Sequence, residues 1–172
     1  MEVEGAETQV KLKDGGLAYI RLAKLDDAEA LVEMFMKLSP NSIYNRFFVF
    51  KDRIDREEAT KMAFCCNTDE ITLVGLVKES DTIRVIADAR VYIQGDKGEI
   101  GIVVQDDWQN KGLGTALMQR LVEEGRRRGL KRLFLYCMPD NTIMIHVAEK
   151  CGFKCKPSSL GVTKLDLPLE GS

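Results

Sequence analysis

Glu99 stands in the run GEIGIVV, where Glu99, Gly101 and Val103 share one face of a strand and Ile100, Ile102 and Val104 the other. A carboxylate in so apolar a strand is costly unless it faces a cleft or a partner. Partial burial would raise its pKa towards that of a working general base. Ten residues further on comes QNKGLGTALM, a glycine pair with a helix-forming run behind it. Glycine is costly inside a helix and useful where backbone must come close to something, so Gly112 and Gly114 at a helix start need a reason. Strand, loop and helix in this order turn the free N–H groups of residues 112 to 115 into one spot at a helix N-terminus, which suits phosphate oxygens. With no side chain at either glycine, a pyrophosphate can lie against the backbone. A P-loop is excluded because Lys111 precedes the glycine instead of following it, and a dinucleotide fingerprint lacks its third glycine, where Leu117 stands.

The surrounding elements follow from periodicity. VKLKDGGLAYIRLA alternates around Asp14-Gly15 as a hairpin does, with Leu17 to Leu22 as a first full strand. Ala28, Leu31, Val32, Phe35 and Leu38 recur at helical spacing after an Asp26 or Asp27 cap, and Ser39-Pro40 stops that helix. DREEATKMAF predicts a second helix from Asp55 to about Cys65. ITLVGLVKE, TIRVIADARVYI and GEIGIVVQ read as an antiparallel meander. A helix over 113–128, the strand RLFLYCM, a short helix from Asn141 to Cys151 and a last strand VTKLDLPL complete the chain. The order β, α, α, β, β, β, α, β, α, β predicts an α/β fold of the α+β type. Its central sheet is mixed but mostly antiparallel and flanked by helices, and the 113–128 crossover joins parallel neighbours.

Composition narrows the classes of function. The 172 residues, 45% of them hydrophobic, suit one domain with a structured core over about residues 9–168. A net charge of -2 carries no basic field for nucleic acid, although a local basic patch is compatible with it. No run reaches the ~20 apolar residues of a membrane span, and the acidic N-terminus MEVEGAETQV has no apolar core, so the expectation is a cytoplasmic protein. Five cysteines without a Cys-x-x-Cys pair, and His146 as the one histidine, predict no metal site. Cys137 reads as a small buried hydrophobe, and Cys151 and Cys155 as reduced thiols.

With these residues in place, the sequence resembles the GNAT superfamily of N-acetyltransferases, whose signature Gln/Arg-x-x-Gly-x-Gly/Ala is matched by Gln109 to Gly114. Asn141 and the stretch Lys150-Cys151-Gly152-Phe153 resemble the family's second segment. The resemblance implies acetyl-CoA as cosubstrate, in a cleft at the central strands. It implies that Ile102, Val103 and Val104 bind the pantetheine arm, that Gln109, Asn110, Lys111, Gly112, Leu113, Gly114 and Thr115 cradle the pyrophosphate, and that Asn141 is a further contact. The N-terminal half is similar to the prokaryotic protein lysine acetyltransferases, through LSPNSIYNRFF at 38–48. That likeness implies a protein substrate presenting a lysine, as a chromatin or nucleic-acid-binding protein or an acyl-CoA synthetase would. Relatives often carry a fused regulatory domain, for which these 172 residues leave no room.

The implied reaction defines the chemical need. A lysine ammonium of pKa ~10.4 must lose a proton before it attacks a thioester. Glu99 is the expected base, and the resemblance points to the same strand position. Asp88, interrupting VIADARV, is a second carboxylate for the acceptor side, and Tyr44 and Arg46 are candidates to line the acceptor cleft. Asp106 and Asp107 are expected to face solvent. The tyrosine that many of these enzymes use as acid toward the leaving thiolate is Ala148 here, which leaves that proton to Tyr136 or to water and helix amides, while His146 reads as a surface or core residue. Direct attack in a ternary complex follows, since no cysteine sits in a nucleophile motif. Acetylation of a small amine, or acyl-CoA sensing without turnover, are the alternatives.

Overall fold

Asp14 turns the chain by accepting the Gly16 N–H at 2.9 Å, with Gly15 at φ +91°. This hairpin joins β1 (Thr8–Lys11) to β2 (Leu17–Leu22). The computed structural model describes residues 7–158 and 161–169. After β2 come α1 (Ala28–Met36), α2 (Pro40–Phe47) and α3 (Arg56–Met62). The meander β3 (Glu70–Glu79), β4 (Thr82–Gln94) and β5 (Lys97–Val104) follows. The chain then runs through α4 (Leu113–Arg127), β6 (Arg132–Cys137), α5 (Thr142–Lys150), β7 (Lys154–Lys156) and β8 (Thr163–Pro168). No helix among the described residues is long and apolar enough to cross a membrane.

The strands form one mixed sheet in the order β1-β2-β3-β4-β5-β6-β8-β7. All pairs are antiparallel except β5 with β6, which the α4 crossover joins in parallel. Alternation sends Ile100, Ile102, Leu133 and Leu135 to the α4 and α5 side. Val74, Leu76, Val85 and Val103 pack on the other side under α1 to α3.

Two elements depart from the sequence-based expectation. Pro40 ends the first helical run but also opens α2 as its first residue, where a missing N–H costs nothing; Ser39 caps it by accepting from Ser42 N at 3.1 Å. NSIYNRFF is therefore mostly helix. Strand β7 is too short, at three residues, to leave a periodic signal.

A buried pair anchors α1. Arg21 and Asp27 meet through two hydrogen bonds of 2.7 and 2.9 Å, and Asp27 also accepts from Lys24 N. Burial pushes the Asp27 carboxyl up, but the Arg21 guanidinium and the Lys24 N–H more than offset this and hold it low. Because the folded value is depressed, the stabilisation is full above the unfolded value of ~3.9 and fades as pH falls through the lower folded value. Asp27→Asn removes the hydrogen-bonded counter-charge of buried Arg21, leaving Glu7 at 4.0 Å, and is expected to cost about 3 kcal/mol in urea unfolding at pH 7. The gap to wild type should shrink below about pH 4. An unchanged midpoint at pH 7 would refute the anchor.

Candidate active site

The β5–β6 ladder holds only from Lys97↔Arg132 to Glu99↔Phe134. Beyond it the two strands separate, leaving backbone groups of residues 100–104 without a partner strand on that side. A cleft of about 560 Å³ opens in the gap.

At one end of the cleft lies the start of α4. Gly112 is its N-cap at φ +96°, a conformation L side chains rarely adopt, and a Cβ at Gly114 would meet nothing within 4 Å. Bare backbone therefore faces open space at the positive end of a 15-residue helix. Lys13 reaches the same spot: its side chain passes 3.9 Å from where a Gly112 Cβ would stand, and its N–H donates to Lys111 O at 2.9 Å. Sequence reasoning missed Lys13, because nothing within KLKDGG tells that the hairpin tip docks on a loop a hundred residues away.

That loop is held by polar clamps. Gln109 donates to Val104 O at 2.8 Å and to Ser42 Oγ at 2.9 Å, so its side chain shapes the loop. Asp106 does not merely face solvent. It accepts from Ser39 N at 3.0 Å, from Ser39 Oγ at 2.5 Å and from Ser42 Oγ at 3.0 Å, tying the start of α2 to the cleft. Burial raises the Asp106 carboxyl, and these donors outweigh it and hold it below its ordinary range.

Of the residues expected around a cofactor, Ile102, Val103, Val104, Gln109 and Asn110 line the cleft, as do Gly112, Gly114, Thr115 and Asn141. Asn141 also caps α5 by accepting from Met144 N at 3.2 Å. Leu113 and Lys111 do not line it. Leu113 is 1% exposed in the core, as the first inward position of α4, and Lys111 turns away to pair with Asp14 at 3.0 Å.

Glu99 stands at the other end, where a second cavity of about 270 Å³ begins. The register sets Tyr92 on β4 and Phe134 on β6 directly beside it. Contrary to expectation Glu99 is exposed, because α1 to α3 stop short of this part of the sheet and the apolar face of β5 takes the burial. Arg46 lies on the same face. Its guanidinium fills the space over Gly101, where a Cβ would meet it at 2.3 Å, and it donates to the Tyr92 hydroxyl at 2.9 Å.

Asp88 and Tyr44 do not line the cleft. Asp88 is 1% exposed and accepts from Arg90 Nε at 2.9 and 3.1 Å, while Arg90 donates to the Met62 and Phe64 carbonyls and so braces the end of α3. Burial pushes its carboxyl up against the pull of Arg90 and Arg46. Tyr44 stacks on Phe50 with ring centroids 4.5 Å apart. Ala148 is fully buried, whereas Tyr136 is half-buried on the cleft wall, and His146 lines the cleft from α5. Cys137 is buried, with its thiol pushed up to about 11 by burial; burial also raises that of Cys151.

The model of the acetyltransferase (GNAT) family matches residues 29–153 of this chain. The chain belongs to that family. It is 26% identical over 165 residues to Acetyltransferase Pat of Mycolicibacterium smegmatis, covering 92% of this chain and 48% of that one, so it spans about half the length of that relative. The GNAT domain of S. lividans PAT superposes with a TM-score of 0.82 at 30% identity, over 95% of this chain and 97% of that domain. A shorter likeness, 38% over 52 residues, links 30% of the chain to 35% of the ribosomal protein bS18 alanine N-acetyltransferase of Escherichia coli.

The family uses acetyl-CoA, and the cleft fits it. The open space at Gly114, the Gly112 conformation and Lys13 suit a pyrophosphate, and the unpartnered edge of residues 100–104 suits an amide-bearing arm.

Proposed function

We propose that the chain is an acetyl-CoA-dependent N-acetyltransferase that acetylates lysine side chains of a protein by direct attack in a ternary complex. One observation carries this: Glu99 lines both the cleft that holds the bare start of α4 and a second cavity walled by Tyr92 and Phe134. Two substrates, one in each, would meet at that carboxylate. The resemblance of LSPNSIYNRFF at 38–48 to the prokaryotic protein lysine acetyltransferases supports a protein acceptor.

Bound acetyl-CoA supplies the activated thioester. The N–H groups of Gly112, Gly114 and Thr115, with Lys13, hold its phosphates, and the edge of Ile102, Val103 and Val104 orients its arm. Glu99 takes the proton from the acceptor ammonium, and an acceptor bound over it excludes water from an otherwise exposed carboxylate. Arg46, above Gly101 on the same face, favours the neutral amine over the ammonium. Tyr136 is the phenol available to the leaving thiolate in place of Ala148.

Direct attack is favoured because Cys137 and Cys151 are thiols raised by burial, and thiols are poor nucleophiles compared with thiolates. Initial rates with both substrates varied are expected to give intersecting lines. Intact mass after incubation with acetyl-CoA alone should show unmodified protein. Parallel lines with an acetyl-enzyme would contradict the ternary complex.

A further inference from the structure

Register carries a single row of side chains across five strands on one face: Tyr92, Glu99, Phe134, Asp166 and Lys154. The neighbouring rows add Lys97 with Arg132, and Lys164 with Lys156. On the opposite face β6 and β8 bury Leu133, Leu135, Cys137 and Leu165 against α4 and α5, but none of β6, β7 or β8 contributes to the cluster under α1 to α3. No described helix packs there, so among the described residues this part of the sheet is a floor beside Glu99 that no helix covers.

The charge on that floor is one-sided. Asp166 is 3% exposed and taken up by Arg132, while Lys97, Lys154 and Lys156 are exposed and Lys164 lies over the Phe134 ring at 5.0 Å. Four lysines thus stand around Glu99 in a chain whose net charge is -2. At the Glu99 row, where the strands are still paired, a spacing of about 4.8 Å sets β8 roughly 10 Å and Lys154 on β7 roughly 14 Å from β5, and Lys164 and Lys156 stand one row further along, where β5 and β6 part. Extended peptide covers that distance in about three to four residues.

We propose that this face is the docking surface of the acceptor protein and selects lysines carried on acidic segments; the inference rests on the lysine-acceptor reading above. The acceptor's alkyl stem lies between Tyr92 and Phe134, which line the cavity that opens at Glu99, and acidic residues three or four positions away meet Lys156 and Lys164. Charge complementarity decides the occupant. A basic segment would place like charges on the same lysines.

The test uses three matched peptides with one lysine in Glu-rich, Gln-rich or Arg-rich flanks, at saturating acetyl-CoA. The Glu-rich peptide is expected to have a KM about tenfold below that of the Arg-rich one with similar kcat, and the gap should close in high salt. Lys156→Glu with Lys164→Glu should abolish or invert the preference while the acetyl-CoA KM stays as it was; Lys156→Arg with Lys164→Arg should keep it. Equal KM values in the wild type, or a preference untouched by the charge reversal, overturn the docking surface and leave lysine acetylation standing. Inhibition by a short DNA duplex as strong as that by a non-acceptor acidic peptide would assign the lysines to nucleic acid instead. Acetylation of spermidine with none of any peptide would overturn the lysine reading, and this inference with it.

Discussion

Glu99→Gln is expected to lower kcat about a hundredfold to ten-thousandfold, the usual range for loss of a general base, while acetyl-CoA binds as before. The expectation follows from position. Glu99 is the carboxylate shared by the walls of the two cavities, with Tyr92 and Phe134 beside it in register and Arg46 over Gly101. Glutamine keeps the shape and the hydrogen-bonding reach but takes no proton. The loss should be smaller at high pH, where part of the acceptor is already neutral. Calorimetric titration with acetyl-CoA separates the two halves of the claim: unchanged affinity with lost turnover supports the base. Full turnover in the variant would remove Glu99 from the chemistry.

Gly114→Glu should do the reverse, weakening cofactor binding without harm to the fold. A Cβ there meets nothing within 4 Å, so the side chain has room, and that room is the cradle itself. A carboxylate about 5 Å from a phosphate at an effective dielectric of ~20 costs about 3 kcal/mol, roughly a hundredfold in the acetyl-CoA KM. The same carboxylate lies in the first turn of α4, where a negative charge is favourable by about 0.3–1 kcal/mol, and it replaces a glycine. The melting temperature should therefore hold or rise. Gly114→Ala, which adds bulk without charge, is expected to move KM far less. An ordinary KM in the glutamate variant would show that the phosphates bind elsewhere.

The parts of this site that were legible in sequence are those set by local backbone chemistry. Two glycines before a helical run announce a helix N-terminus with free amides, and the crossover helix requires β5 and β6 to be parallel. The register that sets Tyr92 opposite Glu99 comes from the structure, where Gly95-Asp96 form a two-residue turn between Gln94 and Lys97. What escaped depends on contacts distant in sequence. Asp106 reads as a loop acid until Ser39 and Ser42 arrive from α2, 64 to 67 residues away. Asp88 looks like an acceptor-side carboxylate until Arg90 and the end of α3 seal it. The exposure of Glu99 depends on which part of the sheet the helices leave uncovered, and no strand carries that information. Pro40 misleads for a different reason, since the same residue ends one helix and begins the next.

The central claim is acetyl transfer to protein lysines, and the most direct measurement is incubation of the protein with labelled acetyl-CoA in a cytosolic extract, with label on proteins separated from label on small molecules. The account predicts label on protein lysines, largely absent when Glu99→Gln replaces the wild type. Label confined to small amines, or bound acetyl-CoA with no transfer to anything, would contradict it.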